Sequence, residues 1–246
     1  MTEFVEVISV QHYTDELFSF ETTRPTGFAF TAGQFTMIGI GDDDVMRAYS
    51  IASGPDENLL RFYSIKVQDG PLTSRLQHIT PGDTIEIGDR PVGTLLIDNL
   101  LPANNLWLIA TGTGLAPFLS IVQDPQTYQK FNRVFLTHTV RTAQELAFGE
   151  WLQQQPIEYY PTVTRGVFRN QGRITDLMYS GKLFSDLNTN YFSDGNDRVM
   201  ICGNPAFNDE LRSHFETLNW QHGTMKKPGH FVQERAFVSQ NIDNQA

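Results

Sequence analysis

Cysteine is almost absent from this sequence of 246 residues, which contains only Cys202. A single cysteine cannot form an internal disulfide, a thiolate zinc site or a cysteine-held iron–sulfur cluster. The sequence also lacks His-Glu-x-x-His and Gly-x-Ser-x-Gly, the motifs of zinc metalloproteases and of serine hydrolases. Its six histidines are scattered along the chain, and we expect no metal site.

Long hydrophobic runs are absent as well. No apolar stretch approaches the roughly 20 residues that a transmembrane helix needs. The first ten residues carry Glu3 and Glu6 and have no basic or apolar leader, which disfavours a signal peptide. These absences predict a cytoplasmic protein that has no membrane partner.

Basic residues are scarce, with 18 Lys and Arg against 28 Asp and Glu and a net charge of −10. This excess of negative charge disfavours nucleic acid as a partner. The imbalance is uneven, because residues 1–98 have 15 acidic and 6 basic residues whereas residues 99–246 have 13 and 12. The second segment is therefore the better place for a bound anion.

The sequence pattern changes near residue 98. Up to this point, short strand-like segments alternate with turns rich in Gly, Pro and Asp, which is typical of an antiparallel β-barrel. A short helix is expected at Leu72–His78. The expected strands are Phe4–Val10, Leu17–Glu21, Gln34–Ile40, Ala48–Ala52, Leu59–Val67, Asp83–Ile87 and Val92–Ile97.

After Pro102, strand-like and helix-like segments alternate, which predicts a doubly wound parallel sheet covered by helices. We place the boundary within Asp98–Asn105, which gives two domains, residues 1–98 and residues 99–246. The expected strands are Leu106–Ala110, Arg133–His138, Ile157–Val163, Arg198–Cys202 and His230–Val238. The expected helices are Pro117–Val122, Thr142–Gln153, Ile174–Tyr179 and Pro205–Leu218.

The segment Thr111-Gly112-Thr113-Gly114-Leu115-Ala116-Pro117 follows an expected strand and opens an expected helix. Glycines at such a place let a phosphate approach the backbone N–H groups at the start of the helix. The third glycine of the usual dinucleotide-binding motif is missing. Nucleotide binding and a tight strand-to-helix turn are therefore equally good interpretations.

The acid that holds the ribose of NAD is also missing. It is expected about 20 residues beyond the glycines, but Phe135–Arg141 contains none and ends in arginine. Thr164 and Arg165 come next, followed by Arg169 and Arg173. Guanidinium groups suit a phosphate dianion. The ordinary interpretation of such a cluster is a solvated loop, and the alternative is a site for the 2′-phosphate of NADP.

Two further motifs complete the pattern. Arg47-Ala48-Tyr49-Ser50 lies on an expected barrel strand, where Arg47 and Tyr49 share a face. A stacking ring beside a phosphate-binding cation would suit a nucleotide cofactor, although its chemistry alone favours an ordinary strand. Cys202-Gly203-Asn204-Pro205 ends one strand and opens a helix, where a lone cysteine is more often a small buried hydrophobe.

Taken in order, these motifs resemble the ferredoxin–NADP reductase family, and more closely its bacterial ferredoxin/flavodoxin–NADP reductases. The resemblance rests on Arg-x-Tyr-Ser, on Gly-Pro-Leu-Thr-Ser at Gly70–Ser74, on Gly-x-Gly-x-x-Pro and on Cys-Gly-x-Pro. It spans all but the last eight residues. It implies an N-terminal β-barrel FAD domain followed by an NADP domain, with the flavin in the cleft between them.

The resemblance also implies individual roles. Tyr49 would stack on the isoalloxazine ring, Ser50 would hydrogen-bond near its reacting nitrogen, and Cys202 would position the nicotinamide without acting as a covalent nucleophile. The other implied FAD contacts are Arg47, Ala48, Tyr63, Gly70, Pro71, Leu72, Thr73, Ser74, Thr113, Ala236 and Phe237. The implied NADP contacts are Gly112, Gly114, Arg141, Thr164, Arg165, Arg173, Gly203, Asn204 and Asp209.

The implied activity is electron transfer between NADPH and a one-electron carrier through FAD. Ferredoxin or flavodoxin would be the transient partner of a monomeric enzyme. Three alternatives stay open at this point. The chain could be the reductase partner of an oxygenase or a free-flavin reductase, a non-enzymatic sensor that binds FAD or NADP, or an interaction domain that binds neither.

Overall fold

The computed structural model describes residues 2–41, 45–67 and 70–236. Its first part is an antiparallel sheet in the order β4-β3-β6-β1-β2-β5. Ile51 and Phe62 bridge the two edge strands, so the sheet is a nearly closed barrel, as the sequence predicts. The elements are β1 (Thr2–His12), β2 (Leu17–Thr23), β3 (Phe35–Gly39), β4 (Arg47–Ser50), β5 (Leu59–Ile65), α1 (Thr73–Leu76) and β6 (Thr84–Gly88).

Strand β2 alternates apolar and polar residues from Phe18 to Glu21, and Leu17 and Ser19 are buried on the face opposite Phe18 and Phe20. Phe18 and Phe20 point into the barrel, where Phe20 packs against Phe62 with 5.2 Å between the ring centroids. Leu17, on the opposite face, packs with the second part of the chain. Burial of each such side chain stabilises the fold by roughly 1.5–3 kcal/mol. One strand therefore joins two hydrophobic cores.

The second part is a parallel sheet in the order β11-β10-β7-β8-β9, which confirms the predicted doubly wound architecture. Strand order reverses between β7 and β10, and a crevice opens at the carboxyl ends of strands at such a point. The strands are β7 (Asn105–Thr111), β8 (Arg133–Val140), β9 (Glu158–Val163), β10 (Asp197–Gly203) and β11 (Phe231–Arg235).

Helices cover both faces of the parallel sheet. Leu106 and Leu108 of β7 belong to one buried cluster, and Trp107 and Ile109 belong to another on the opposite face. Among the described residues, no helix has the length and apolar character to span a membrane. The helices are α2 (Ala116–Ile121), α3 (Pro125–Lys130), α4 (Gly149–Leu152), α5 (Ile174–Tyr179), α6 (Lys182–Asp186) and α7 (Pro205–Thr217).

The prediction of one continuous helix over Thr142–Gln153 is wrong. A 3₁₀ turn at Ala143–Glu145 and the short helix α4 form instead. Phe148 lies between them with a left-handed φ of 62°, which interrupts a right-handed helix. The buried partners of Phe148, which the sequence does not reveal, are Tyr13 and Tyr63 of the barrel.

The strand predicted at Val92–Ile97 is also wrong, since only Val92 pairs, with Phe35, before a 3₁₀ turn at Ile97–Asn99. Helix α3 was not predicted, although its start has a clear signal. The carboxylate of Asp124 accepts a hydrogen bond from the N–H of Gln126, and a proline occupies the first turn.

The segment that connects the two parts is tied to the parallel sheet. The buried guanidinium of Arg198 donates hydrogen bonds to the carbonyl oxygens of Leu101 and Pro102 at 3.0 and 2.8 Å. Leu101 also donates its N–H to the carbonyl of Gly229 at 2.8 Å. We therefore propose that the boundary lies within Asp98–Asn105, with the later residues of the segment belonging to the second domain.

Asp197 holds three polar groups at the base of the parallel sheet and is only 4% exposed. Its carboxylate accepts from the side chain of Asn105 at 2.9 Å, the indole of Trp107 at 2.8 Å and the N–H of Ser193 at 2.9 Å. Asp197→Ala leaves the side chains of Asn105 and Trp107 buried without an acceptor, at about 1–3 kcal/mol for each group. We expect the free energy of unfolding to fall by about 3 kcal/mol or more in denaturant titrations.

The matched control is Asp194→Ala, which makes the same chemical change at an exposed position three residues earlier. It should change the free energy of unfolding by less than about 0.5 kcal/mol. Equal effects of the two substitutions would contradict the structural role of Asp197.

Candidate active site

The turn between β7 and α2 is shaped by two glycines with different environments. Gly112 has a positive φ of 53°, and no atom lies within 4 Å of the position that a Cβ would occupy. At Gly114, a Cβ would lie 2.3 Å from the carbonyl oxygen of Cys202 on β10. Gly114 is therefore required for close packing, whereas Gly112 leaves open backbone that an anion can approach. The tight-turn interpretation therefore applies at Gly114, and nucleotide binding at Gly112 stays a prediction.

His138, which the sequence analysis missed, lies fully buried on β8 beneath this turn. Its Nε2 lies 3.0 Å from the carbonyl oxygen of Gly112. A carbonyl only accepts, so Nε2 carries the hydrogen and donates it. Burial lowers the pKa of His138 to about 4, so the ring is neutral near pH 7. His138 thus fixes the turn without adding charge. Its signal in the sequence is a lone histidine at the end of a strand.

A cavity of about 370 Å³ opens beside the turn, where the parallel strands end. We call it the switch-point cavity. The barrel supplies Glu16, Leu17 and Ile65 to its wall, and none of these was predicted, because no sequence signal shows how the two parts dock. It brings together Gly112, Thr113, Arg141, Thr164, Arg173 and Asn204 among the predicted residues.

Threonine hydroxyls make part of this wall polar without charging it. Thr139 and Thr162 place their hydroxyl oxygens 2.8 Å apart, and Thr139 lines the cavity. Thr175, which also lines it, is 1% exposed, and its hydroxyl has no partner among the described residues. A buried hydroxyl without a partner is costly. Its presence here fits a site whose ligand carries hydrogen-bonding groups.

Arg141 and Arg173 line the switch-point cavity, whereas Arg165 does not. Arg141 pairs with Glu16 at 3.5 Å and Arg173 pairs with Glu210 at 3.1 Å, and both guanidinium groups are more than half exposed. Arg165 donates its N–H to the carbonyl of Arg141 at 2.7 Å, which places these two residues side by side. Exposed guanidinium groups around a cavity fit a phosphate dianion.

Asn204 and Phe207, which follow β10, line the switch-point cavity, whereas Cys202 and Gly203 at the end of the strand do not. Cys202 is buried, and burial together with the charge of Glu234 raises the pKa of its thiol well above the ordinary value. A neutral thiol is a poor nucleophile, which supports a positioning role for Cys202. Gly203 allows close packing, because a Cβ there would lie 2.3 Å from the hydroxyl of Thr111. Asn204 caps α7 by accepting from the N–H of Phe207 at 3.0 Å.

Asp209 does not line the switch-point cavity. Its exposed carboxylate lies on α7 and pairs with Arg235 at 3.1 Å. The NADP contact implied for Asp209 stays a prediction, and the geometry does not favour it.

Glu234 on β11 was also missed. It lies opposite Cys202 in the register of β10 and β11. Its Oε2 lies 3.5 Å from the position of a Cβ on Gly93, so it sits where the first part of the chain meets the second. Burial raises the pKa of Glu234 to about 7. A carboxyl that titrates near neutral pH beside other candidate residues is itself a functional candidate.

On the barrel, the contacts of β4 locate the predicted FAD residues. Tyr49 is hydrogen-bonded to Ser64, and burial raises its pKa to about 12. The antiparallel bridge between Ile51 and Phe62 places Tyr49 opposite Ser64 two residues further on, so the hydrogen bond and the bridge belong to the same strand register. Continued along β4, that register places Arg47 opposite Lys66 at the end of β5. Arg47 and Ala48 are exposed, whereas Ser50 is half-buried.

The chain leaves this end of β5 for the turn Gly70–Ser74. Gly70 is required there, since a Cβ would lie 2.1 Å from the hydroxyl of Thr73. The N–H of Ser74 donates to the carbonyl of Gly70 at 3.1 Å, and Pro71 is exposed while Leu72 is buried in the barrel core. The predicted pyrophosphate residues of the turn thus lie at the same end of the barrel as Arg47.

Tyr63 lies between the two parts of the chain. Its ring contacts Phe148 and Tyr13 edge-on, and its buried hydroxyl has no partner among the described residues. The contact of Tyr63 with FAD stays a prediction. Ala236 donates its N–H to the carbonyl of Gly203 at 2.9 Å and is therefore next to the end of β10. Phe237 lies outside the described residues.

Comparisons with known proteins match both parts of the fold. Residues 3–96 match the oxidoreductase FAD-binding domain family, and residues 108–213 match the oxidoreductase NAD-binding domain family. The first match covers the barrel, and the second covers the turn at Gly112, the switch-point cavity arginines and the end of β10.

Curated relatives match nearly the whole chain. The flavodoxin/ferredoxin–NADP reductase of Rhodobacter capsulatus is 48% identical, over 96% of this chain and 93% of that protein. The ferredoxin–NADP reductase of Pseudomonas aeruginosa is also 48% identical, over 94% and 96%. A solved ferredoxin NADP⁺ reductase from Neisseria gonorrhoeae, with bound FAD and NADP, is 29% identical with a TM-score of 0.90, over 96% and 99%. With this identity over its whole fold, the chain belongs to the ferredoxin/flavodoxin–NADP reductase family.

Proposed function

We propose that this protein transfers electrons between NADPH and a one-electron carrier, ferredoxin or flavodoxin, through bound FAD. The observation that carries the proposal is the switch-point cavity, where the open backbone of Gly112, the exposed arginines and a wall of the barrel meet. The names of the relatives support the same activity and the same partners. We further propose that the enzyme works in the cytoplasm as a monomer.

FAD would bind at one end of the barrel. When bound, FAD accepts a hydride from NADPH and releases the two electrons one at a time. Arg47 and the turn Gly70–Ser74 would hold its pyrophosphate, because a guanidinium and backbone N–H groups both donate to phosphate oxygens. Tyr49 and Ser50 would orient the flavin ring from β4.

NADP would bind at the carboxyl ends of the parallel strands. Arg141, Arg165 and Arg173 would bind the adenosine 2′-phosphate, and the turn at Gly112 would bind the pyrophosphate. Thr113 and Cys202 would place the nicotinamide in the cleft. Hydride transfer depends on alignment of the nicotinamide and exclusion of water more than on acid–base groups. The buried neutral thiol of Cys202 would help to align the nicotinamide without reacting itself.

The direct test is NADPH oxidation by the purified protein with a panel of ferredoxins and flavodoxins. We expect a yellow protein whose rate with at least one carrier greatly exceeds its rate with free flavin. Fastest turnover with free flavin would identify a free-flavin reductase, and turnover only with an oxygenase would identify its reductase partner. Binding of both nucleotides without oxidation would indicate a sensor. A colourless protein that binds no FAD would contradict the proposal.

The FAD assignment predicts a loss of affinity in Arg47→Ala. A hydrogen bond to a charged group contributes roughly 1.5–3 kcal/mol, so the Kd for FAD should rise about tenfold or more. Arg212→Ala, which removes a charge from the exposed side of α7, should leave the Kd unchanged. Fluorescence titration of the apoprotein measures both values, and an unchanged Kd in folded Arg47→Ala would exclude this role.

The arginines predict a preference for NADPH. Replacing both Arg165 and Arg173 with alanine should raise the KM for NADPH about tenfold or more and leave the KM for NADH nearly unchanged, because only NADPH carries the 2′-phosphate. Arg169→Ala is the control from the same loop, since Arg169 neither lines the switch-point cavity, as Arg173 does, nor hydrogen-bonds to Arg141 among the described residues, as Arg165 does. Equal losses with both nucleotides would show that the arginines serve the fold or the shared part of the cofactor.

Glu234 predicts a pH dependence of stability. Its folded pKa of about 7 lies above its ordinary value of 4.5, so the folded protein keeps a proton that the unfolded chain loses. The free energy of unfolding therefore falls as pH rises from about 4.5 to 7. Glu234→Gln stays neutral, so its stability relative to the wild type should increase by about 1–2 kcal/mol between pH 5.5 and pH 8. A difference that does not change with pH in denaturant titrations would contradict the assignment.

A further inference from the structure

The turn between β1 and β2 brings an acidic residue of the barrel into the switch-point cavity. Glu16 lines this cavity together with Leu17, and it approaches Arg141 of the second part with 3.5 Å between carboxylate and guanidinium. An acid is unexpected on the wall of a site proposed for a phosphorylated ligand, because the two negative charges repel. Its position therefore calls for a physical explanation.

The backbone of Glu16 is fixed on both sides. The hydroxyl of Thr14 accepts hydrogen bonds from the N–H groups of Glu16 and Leu17 at 3.1 and 3.0 Å. The carbonyl of Glu16 accepts from the N–H of Lys66 at 2.6 Å. The neighbouring ring of Tyr13 packs against Phe148 of the second part at 5.3 Å. The acid thus projects from an anchored turn that is docked across the domain interface.

Among the charged groups at this end of the cavity, Glu16 is the one that engages Arg141. Glu145, the other carboxylate on the wall, is held by Thr142, whose N–H and hydroxyl both donate to it. Arg173 is paired with Glu210 on α7. Among the described residues, Arg141 therefore forms its ion pair with the barrel and not with its own domain.

We propose that Glu16 is a specificity-determining residue: it competes with the 2′-phosphate of NADP for Arg141 and so lowers the affinity of the site for the phosphorylated nucleotide. This inference rests on the proposed function and on the role of Arg141 in it. A carboxylate and a phosphate dianion present similar oxygens to one guanidinium, so each excludes the other from the same donors. Because the ion pair is exposed, its loss is worth a factor of a few in affinity rather than orders of magnitude.

Glu16→Gln tests this competition, since it removes the charge and keeps the size of the side chain. We expect the Kd for NADP⁺, measured by the change in flavin absorbance of the holoenzyme, to fall about two- to fivefold. The Kd for NAD⁺ should change less, because NAD⁺ lacks the phosphate that competes. Asp15→Asn is the matched control: it makes the same change of charge one residue earlier, at an exposed position that does not line the cavity.

The same substitution in the Arg141→Ala variant separates competition for Arg141 from simple charge repulsion between Glu16 and the phosphate. In Arg141→Ala, Glu16 has no guanidinium to occupy, so adding Glu16→Gln should change the Kd for NADP⁺ by much less than it does in the wild type. An unchanged Kd in Glu16→Gln, an equal gain in Asp15→Asn, or the same gain in the Arg141→Ala background would each overturn the proposal. Failure of the proposed function looks different, because the wild-type holoenzyme would then neither bind NADP⁺ nor oxidise NADPH.

Discussion

The contact between the glycine turn and the end of β10 is the constraint on which the site depends. The carbonyl of Cys202 occupies the place that a Cβ on residue 114 would fill, so the two strand ends can approach only because Gly114 has no side chain. This close packing holds the glycine turn against the end of β10, at the point where strand order reverses. The backbone of Gly112, on the other side of the turn, stays uncovered. His138 holds the turn from below as a neutral donor.

The second constraint is the docking of the barrel on the parallel sheet. Strand β2 contributes Phe18 and Phe20 to the barrel core and Leu17 to the core shared with the second part, and the rings of Tyr13, Tyr63 and Phe148 pack across the interface. This docking turns a groove at the end of a sheet into a cleft with walls from both parts. It also places the acidic Glu16 of the barrel beside Arg141, so the affinity for an anionic ligand reflects a balance between attraction and repulsion.

Sequence patterns predicted the fold well where each signal is local. The barrel, the parallel sheet and the glycine turn follow from periodicity and turn residues, and six of the predicted residues meet in one cavity. Contacts between distant segments were not predictable in this way. Phe148 breaks a predicted helix because it packs on the barrel, and Glu16, Leu17 and Ile65 reach the cavity only through domain docking. Nothing in the sequence distinguishes Glu234 from other strand residues, because its raised pKa comes from burial in the folded protein.

We propose that one cleft passes two electrons from a nicotinamide to a flavin and then on to a one-electron carrier. An anaerobic single-turnover experiment tests it most directly, with NADPH mixed with the purified holoenzyme and a carrier added afterwards. We expect one equivalent of NADPH to bleach the flavin absorbance, and about two equivalents of oxidised flavodoxin or ferredoxin to restore it. A flavin that NADPH does not bleach, or a bleached flavin that no such carrier reoxidises, would contradict it.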